Sequence, residues 1–269
     1  MNTAVRGSTT ALRRAVRSEW TKLRTDPGPA WLLLCLAAVT VSVSAAVAAT
    51  ARCPAADCGQ DQVALSLTGV TLGQTLAVIV AVLAVGQEYG TGLIHTTLAA
   101  VPRRTTVLAA KAVVVSGAVA AAGVPAVLAS ALAGRLLLPG NGFTPAHGYA
   151  ALSLTDGPTL RAVAGSALYL VLVALLALGV AAAVRDTAVA TGVVLGLLYL
   201  FPLLGHMATD PDLRRHLAQL GPMPAGLAVQ ATTDLRRLPV GPWAGLGVLA
   251  LWAAGALLVG ALVLRRRDA

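Results

Sequence analysis

The chain reads as an all-α, polytopic membrane protein with six transmembrane helices, on three observations. Hydrophobic residues make up 57% of its 269 positions and charged residues 12%, a balance outside the range of ordinary soluble domains. Six stretches are apolar over about 20 residues, the length that crosses ~30 Å of hydrocarbon at ~1.5 Å per residue. None of them has an Asp or Glu in its interior.

Residues 1–30 are expected to form a cytoplasmic amphipathic segment. Leu12, Val16, Trp20 and Leu23 recur at helical spacing, and Arg13, Arg14, Arg17, Lys22 and Arg24 occupy much of the remaining surface. An apolar stripe with a Trp and flanking cations suits a helix lying in the headgroup layer. A basic tail that only sets orientation is the simpler alternative. Asp26-Pro27-Gly28-Pro29 breaks the segment and turns the chain into the bilayer.

The six-helix domain then runs over 31–264. Its spans are Trp31–Thr50, Val63–Val85, Val107–Ala133, Leu160–Val184, Ala188–Leu204 and Trp243–Leu264. Gly123, Pro125, Gly192 and Gly196 interrupt some of them, as membrane helices tolerate. Trp31–Thr50 is read as an uncleaved span, because its apolar run is longer than the ~7–15 residues of a signal core. Residues 265–269 form a cytoplasmic basic tail.

Charge sets the expected orientation. With both ends in the cytoplasm, 13 of the 20 Lys and Arg fall on the inner side and 7 on the outer, where six acids accompany them. The positive-inside rule favours that arrangement. The net charge of +9 is therefore assigned to topology, and no nucleic-acid partner is expected. The expected location is a bacterial cell membrane, multi-pass.

Between the second and third spans, Gly86–Arg104 is too polar to cross. Ile94, Thr97, Leu98 and Val101 form a second helical stripe, which Pro102 ends. A short helix held between two spans and parallel to the membrane acts as a lever. A loop that merely caps helix ends is the alternative. Glu88, beside Tyr89, is expected to pair with Arg103, Arg104 or the N-terminal cations and hold the lever; a solvated interfacial acid is the simpler reading. The outer loops Gly134–Pro158 and Gly205–Pro242 carry either plain connections or, in Asp212–Leu220 and Ala225–Leu235, amphipathic pieces that dip into the outer leaflet. Cys53 and Cys58 share the outer loop after the first span. An oxidising face permits a disulfide, and two free thiols are equally compatible with the spacing. The Gly-x-x-x-Gly pairs 69/73, 192/196 and 241/245 are assigned no function, because 27 Gly produce such pairs by chance.

Several chemistries are excluded by rare residues. The only lysines, Lys22 and Lys111, lie in no phosphate-binding Gly-Lys-Ser/Thr loop. None of the four His lies in a His-Glu-x-x-His pattern, and no Gly-x-Ser-x-Gly elbow occurs. The chain is therefore expected not to be an enzyme and to need no cofactor. The span interiors are read as offering only Ser, Thr and backbone. Lys111 and Arg161 are expected to snorkel from span ends to water. An ion-driven carrier, which needs ionisable groups at depth, is disfavoured.

Two motifs carry a family resemblance. Arg17-Ser18-Glu19-Trp20-Thr21-Lys22-Leu23-Arg24-Thr25 resembles the opening of actinobacterial ABC-2-type transporter permeases. Glu88-Tyr89-Gly90-Thr91-Gly92, running into Thr96–Arg104, is similar to the loop after their second span; Gly90 departs from the larger, often basic residue expected there. The resemblance implies a pore-forming subunit paired with a second permease, identical or paralogous, and with two copies of a separate cytoplasmic ATPase. It implies that Glu19, Trp20 and Lys22 in the N-terminal helix contact that ATPase, together with Glu88, Tyr89, Ile94, Thr97, Leu98, Val101, Arg103 and Arg104 in a cytoplasmic coupling helix. The expected function is ATP-driven export of a hydrophobic or amphiphilic cargo of drug, lipid, peptide or polysaccharide class. A non-transport membrane scaffold or assembly factor is the alternative.

Overall fold

The helices are apolar on most of their surface but differ in how much of it is buried, and this difference organises the molecule. The computed structural model describes residues 2–54, 58–90 and 104–266, and side-chain surroundings for these except 2–11, 87–90 and 104. Among the described residues there are helices and turns but no strands. The helices are α1 (Asn2–Thr25), α2 (Pro27–Thr50), α3 (Gln62–Ser66), α4 (Val70–Gly90), α5 (Arg104–Leu137), α6 (Gly157–Val184), α7 (Thr187–Met207), α8 (Pro211–Leu220), α9 (Pro222–Leu227) and α10 (Pro242–Arg266).

Helices α2, α5, α6, α7 and α10 are long and apolar enough to cross a membrane. This is the architecture of a polytopic helical membrane protein. Helix α6 is the centre. Tyr169, Leu170, Val173, Ala174, Leu176 and Ala177 are all fully or almost fully buried, so more than one face is covered. Around it stand α4, α5, α7 and α10. The outer helices bury narrower faces. Helix α2 buries Leu36, Thr40, Ser44 and Ala48 at strict spacings of four, and α7 buries Ala190, Val194 and Leu198 in the same way. Their other sides are apolar and exposed, as surfaces that meet lipid are.

The second apolar stretch is not one helix. It breaks at Leu67–Gly69 between α3 and α4, and the apolar part of α4, Val70–Gly86, is shorter than the other five candidates. At and just after the break the chain packs closely against α2. A Cβ on Gly69 would collide with the Thr40 carbonyl, and one on Gly73 with the Thr40 hydroxyl. The Gly69 N–H, freed by the break, donates to Ser44 Oγ at 3.0 Å. The 69/73 glycine pair is thus a packing face, which spacing alone did not justify claiming. Gly192 and Gly196 face open space. A second close approach joins α6 to α10, where a Cβ on Gly179 would meet the backbone of Ala256 and Leu257.

The segment after α7 also differs from a plain connector. Helix α8 is amphipathic and mostly exposed, but Pro222, Met223, Ala225, Gly226, Val229 and Gln230 are buried. The chain turns back into the bundle here and packs on α10 and α6. Gly226 abuts the ring of Tyr169, twelve residues into α6 and so roughly 18 Å along it. Irregular backbone at such depth is stable only where protein, not lipid, surrounds it.

At the end opposite α1, short turns tie the helices together. Asn141 donates its amide to the Ala48 and Ala49 carbonyls (2.8 and 3.1 Å), satisfying the end of α2. Cys53 and Cys58 are joined by a disulfide, with Cα atoms 5.7 Å apart.

Candidate functional site

One acid and one lysine, far apart in sequence, meet where α1 docks on the bundle. Helix α1 ends before Asp26, whose carboxylate caps α2 by accepting from the Gly28 N–H at 3.0 Å. The reversal lays α1 against α5. Ala15 and Glu19, four residues apart, form its buried line. Leu12, Val16 and Leu23 flank that line and are half-buried, while Trp20 is 50% exposed.

Lys111 Nζ, 5% exposed on α5, donates to Glu19 Oε2 at 2.7 Å and to the Ala84 carbonyl of α4 at 2.8 Å. Lys22 Nζ reaches Glu19 Oε1 at 2.9 Å. One ammonium therefore joins α1, α4 and α5 through charge-assisted hydrogen bonds, which are shorter and stronger than neutral ones. This corrects the expectation that Lys111 snorkels to water. It stands seven residues into α5, about 10 Å from the helix start. Pairing with Glu19 is what makes that burial tolerable, because a buried lone charge is prohibitively costly.

Of the residues singled out in the sequence, the structure brings Glu19 and Lys22 together and leaves Trp20 on the free side of α1. The segment Gly90–Val101, with Ile94, Thr97, Leu98 and Val101, lies outside the described residues apart from the backbone of Gly90. The side chains of Glu88, Tyr89, Arg103 and Arg104 lie outside them as well. At the same end of the bundle, Thr187, the first residue of α7, packs on Gly86 of α4.

A second polar cluster lies deep in the bundle. Tyr169 donates to Gln74 Oε1, and Gln74 Nε2 lies 3.3 Å from Met223 Sδ. Gln230 Nε2 donates to Ser166 Oγ at 3.0 Å, with the Leu67 carbonyl, at the break before α4, 3.5 Å away. Tyr199 of α7 donates to the Thr71 carbonyl at 2.8 Å and shares a hydrogen bond with Thr75. The interiors thus offer more than Ser, Thr and backbone, and Gln74 and Gln230 were missed in the sequence. A lone Gln within an apolar run is the signal that finds such positions, since a buried amide needs partners. At the rim, Asp61 caps α3 through the Val63 and Ala64 N–H groups and also accepts from the backbone N–H groups of Thr232 and Thr233. That ties the α3–α4 stretch to the returning segment.

Among the described residues, no group of three or more His, Cys, Asp and Glu is placed to hold a metal. No protein-family model matches the chain, and no curated protein matches it. The assignment of function therefore rests on the motifs and the geometry.

Proposed function

We propose that this chain is the membrane-spanning permease subunit of an ATP-driven ABC-2-type exporter, moved by a separate cytoplasmic ATPase. The observation that carries the reading is the Lys111–Glu19 pair. It fastens one side of α1 to two bundle helices and leaves Trp20 on the other side, free for a partner. A helix so fastened transmits a push; a loosely tethered tail does not. Glu19, Trp20 and Lys22 are the residues that the first motif assigns to ATPase contact, so the same short segment has a bundle-facing anchor and a free face.

In this reading α3 and α4 together make the second of six spans, and both termini lie in the cytoplasm. Two ATPase copies and a second permease subunit complete the assembly. ATP binding closes the ATPases against α1 and the segment Gly90–Val101. A partner can bias two states only by its differential affinity for them, and α1 with that segment is where the difference enters. The apolar, acid-free spans suit a hydrophobic or amphiphilic cargo.

The test is recovery of the ATPase. The tagged chain is purified in mild detergent as wild type and as Trp20→Glu combined with Arg103→Glu and Arg104→Glu. The reading expects a P-loop ATPase with the wild type and much less with the variant, at equal yield of monodisperse permease. Equal recovery from both would count against it and favour a scaffold.

A further inference from the structure

We infer that the cleft between α7, α8 and α9 is a binding site for an anionic phospholipid of the leaflet opposite α1. The inference stands on its own and does not need the transport reading. The cleft has a volume of about 390 Å³, within the range of about 300–1,000 Å³ typical of small-molecule sites. Phe201, Pro202 and Gly205 of α7, Ala218 of α8 and Pro224 of α9 line it. Small and ring-shaped residues keep it open. A side chain built on Gly205 would meet nothing within 4 Å, so the space beside that helix is unfilled.

The lining is mostly apolar but includes His206 and Arg214. A guanidinium has five N–H donors in a planar fork that suits phosphate oxygens. Arg214 is exposed to solvent, and its Nη2 donates to the Ala208 carbonyl at 3.0 Å. The nearest acids in sequence are Asp210 and Asp212. The Asp210 carboxylate accepts from the Asp212 N–H at 2.9 Å, capping α8. Leu203, Met207, Leu213 and Leu220 are exposed on the same two helices, so the cleft lies in an apolar surface. An acyl chain along Phe201 and Pro202 with a phosphate at Arg214 satisfies both halves of this surface. A free anion would leave the apolar walls wet, and a neutral lipid would leave the guanidinium without its counter-charge.

Trp252 offers a reporter. Its ring meets Phe201 edge-on with centroids 6.4 Å apart, and its Nε1 donates to the Leu220 carbonyl at 3.0 Å. The full chain, with Trp20, Trp31 and Trp243 replaced by Phe, is reconstituted into phosphatidylcholine vesicles. These contain a minor fraction of either dibromo-acyl phosphatidylglycerol or dibromo-acyl phosphatidylcholine. Quenching of Trp252 should favour the phosphatidylglycerol about fivefold, as one cation near an anionic headgroup gives. Arg214→Gln should abolish the preference, and Arg236→Gln should leave it. Gly205→Leu should reduce quenching by both lipids by filling the cleft. Equal quenching by the two lipids in the parent chain would overturn the proposal. So would a preference that survives Arg214→Gln, or one that falls equally with Arg236→Gln, which would mark a diffuse surface charge.

Discussion

The ammonium of Lys111 lies 2.7 Å from the carboxylate of Glu19, 92 residues earlier in the chain, and both side chains are almost wholly buried. Removing one partner leaves the other charge buried with less to offset it, a change that typically costs about 3–5 kcal/mol. Lys22 remains beside Glu19, so Lys111→Met should fall at about 3 kcal/mol, the low end of that range. Thermal unfolding in detergent measures it. Glu19→Gln combined with Lys111→Met should recover much of the loss. Additive losses would show that the two side chains do not act as a pair.

Tyr169 and Gln74 provide a second cycle, this one without charge. Tyr169→Phe removes the donor to Gln74 Oε1 in a buried site and should destabilise the protein by about 1–3 kcal/mol. Adding Gln74→Leu removes the stranded amide as well, so the double variant should be closer to wild type than the Phe variant alone. The same denaturation assay reads both.

The contact of α4 with α2 depends on a bare backbone at Gly69. Gly69→Val places a side chain into the Thr40 carbonyl and should cost about 1–3 kcal/mol or more, because backbone must move. Gly196→Val enters open space and should change stability by less than about 0.5 kcal/mol. Similar losses at the two positions would contradict the packing described.

Asp61 holds both the start of α3 and the Thr232–Thr233 turn. Asp61→Ala removes a helix cap, worth about 0.5–2 kcal/mol, and also strands the Thr232 and Thr233 donors. The exposed Arg236 and Arg237 follow closely, so trypsin should cut there several-fold faster in the variant. Unchanged cleavage would mean that the turn is held by other contacts.

The long helices were legible because the signal lies in one contiguous window. About 20 apolar residues bounded by charge or Pro mark α2, α5, α6, α7 and α10 wherever they pack. The break before α4 was not legible, because Leu67-Thr68-Gly69 is as apolar as its surroundings. The groups it meets, Thr40 and Ser44, stand on another helix. The burial of Pro222–Gln230 was hidden for the same reason: a stretch with Pro, Gly and Gln reads as a loop unless one knows that Tyr169 and Ser166 wait for it. Lys111 looked like a snorkelling cation because nothing within a helical turn of it is acidic. Its partner is supplied by the reversal at Asp26, which folds α1 back onto α5. Glu19, by contrast, is singled out through its motif, but nothing in that motif points to its pairing with Lys111.

We propose that this chain does no nucleotide chemistry itself and is driven by a companion that does. ATP hydrolysis is measured on the affinity-purified assembly in lipid nanodiscs, and again on the permease after its companions are stripped by high salt and size exclusion. The proposal is supported by vanadate-sensitive hydrolysis in the assembly and none in the stripped chain, with activity restored on recombination. Hydrolysis retained by the stripped chain, or none in the assembly, would contradict it.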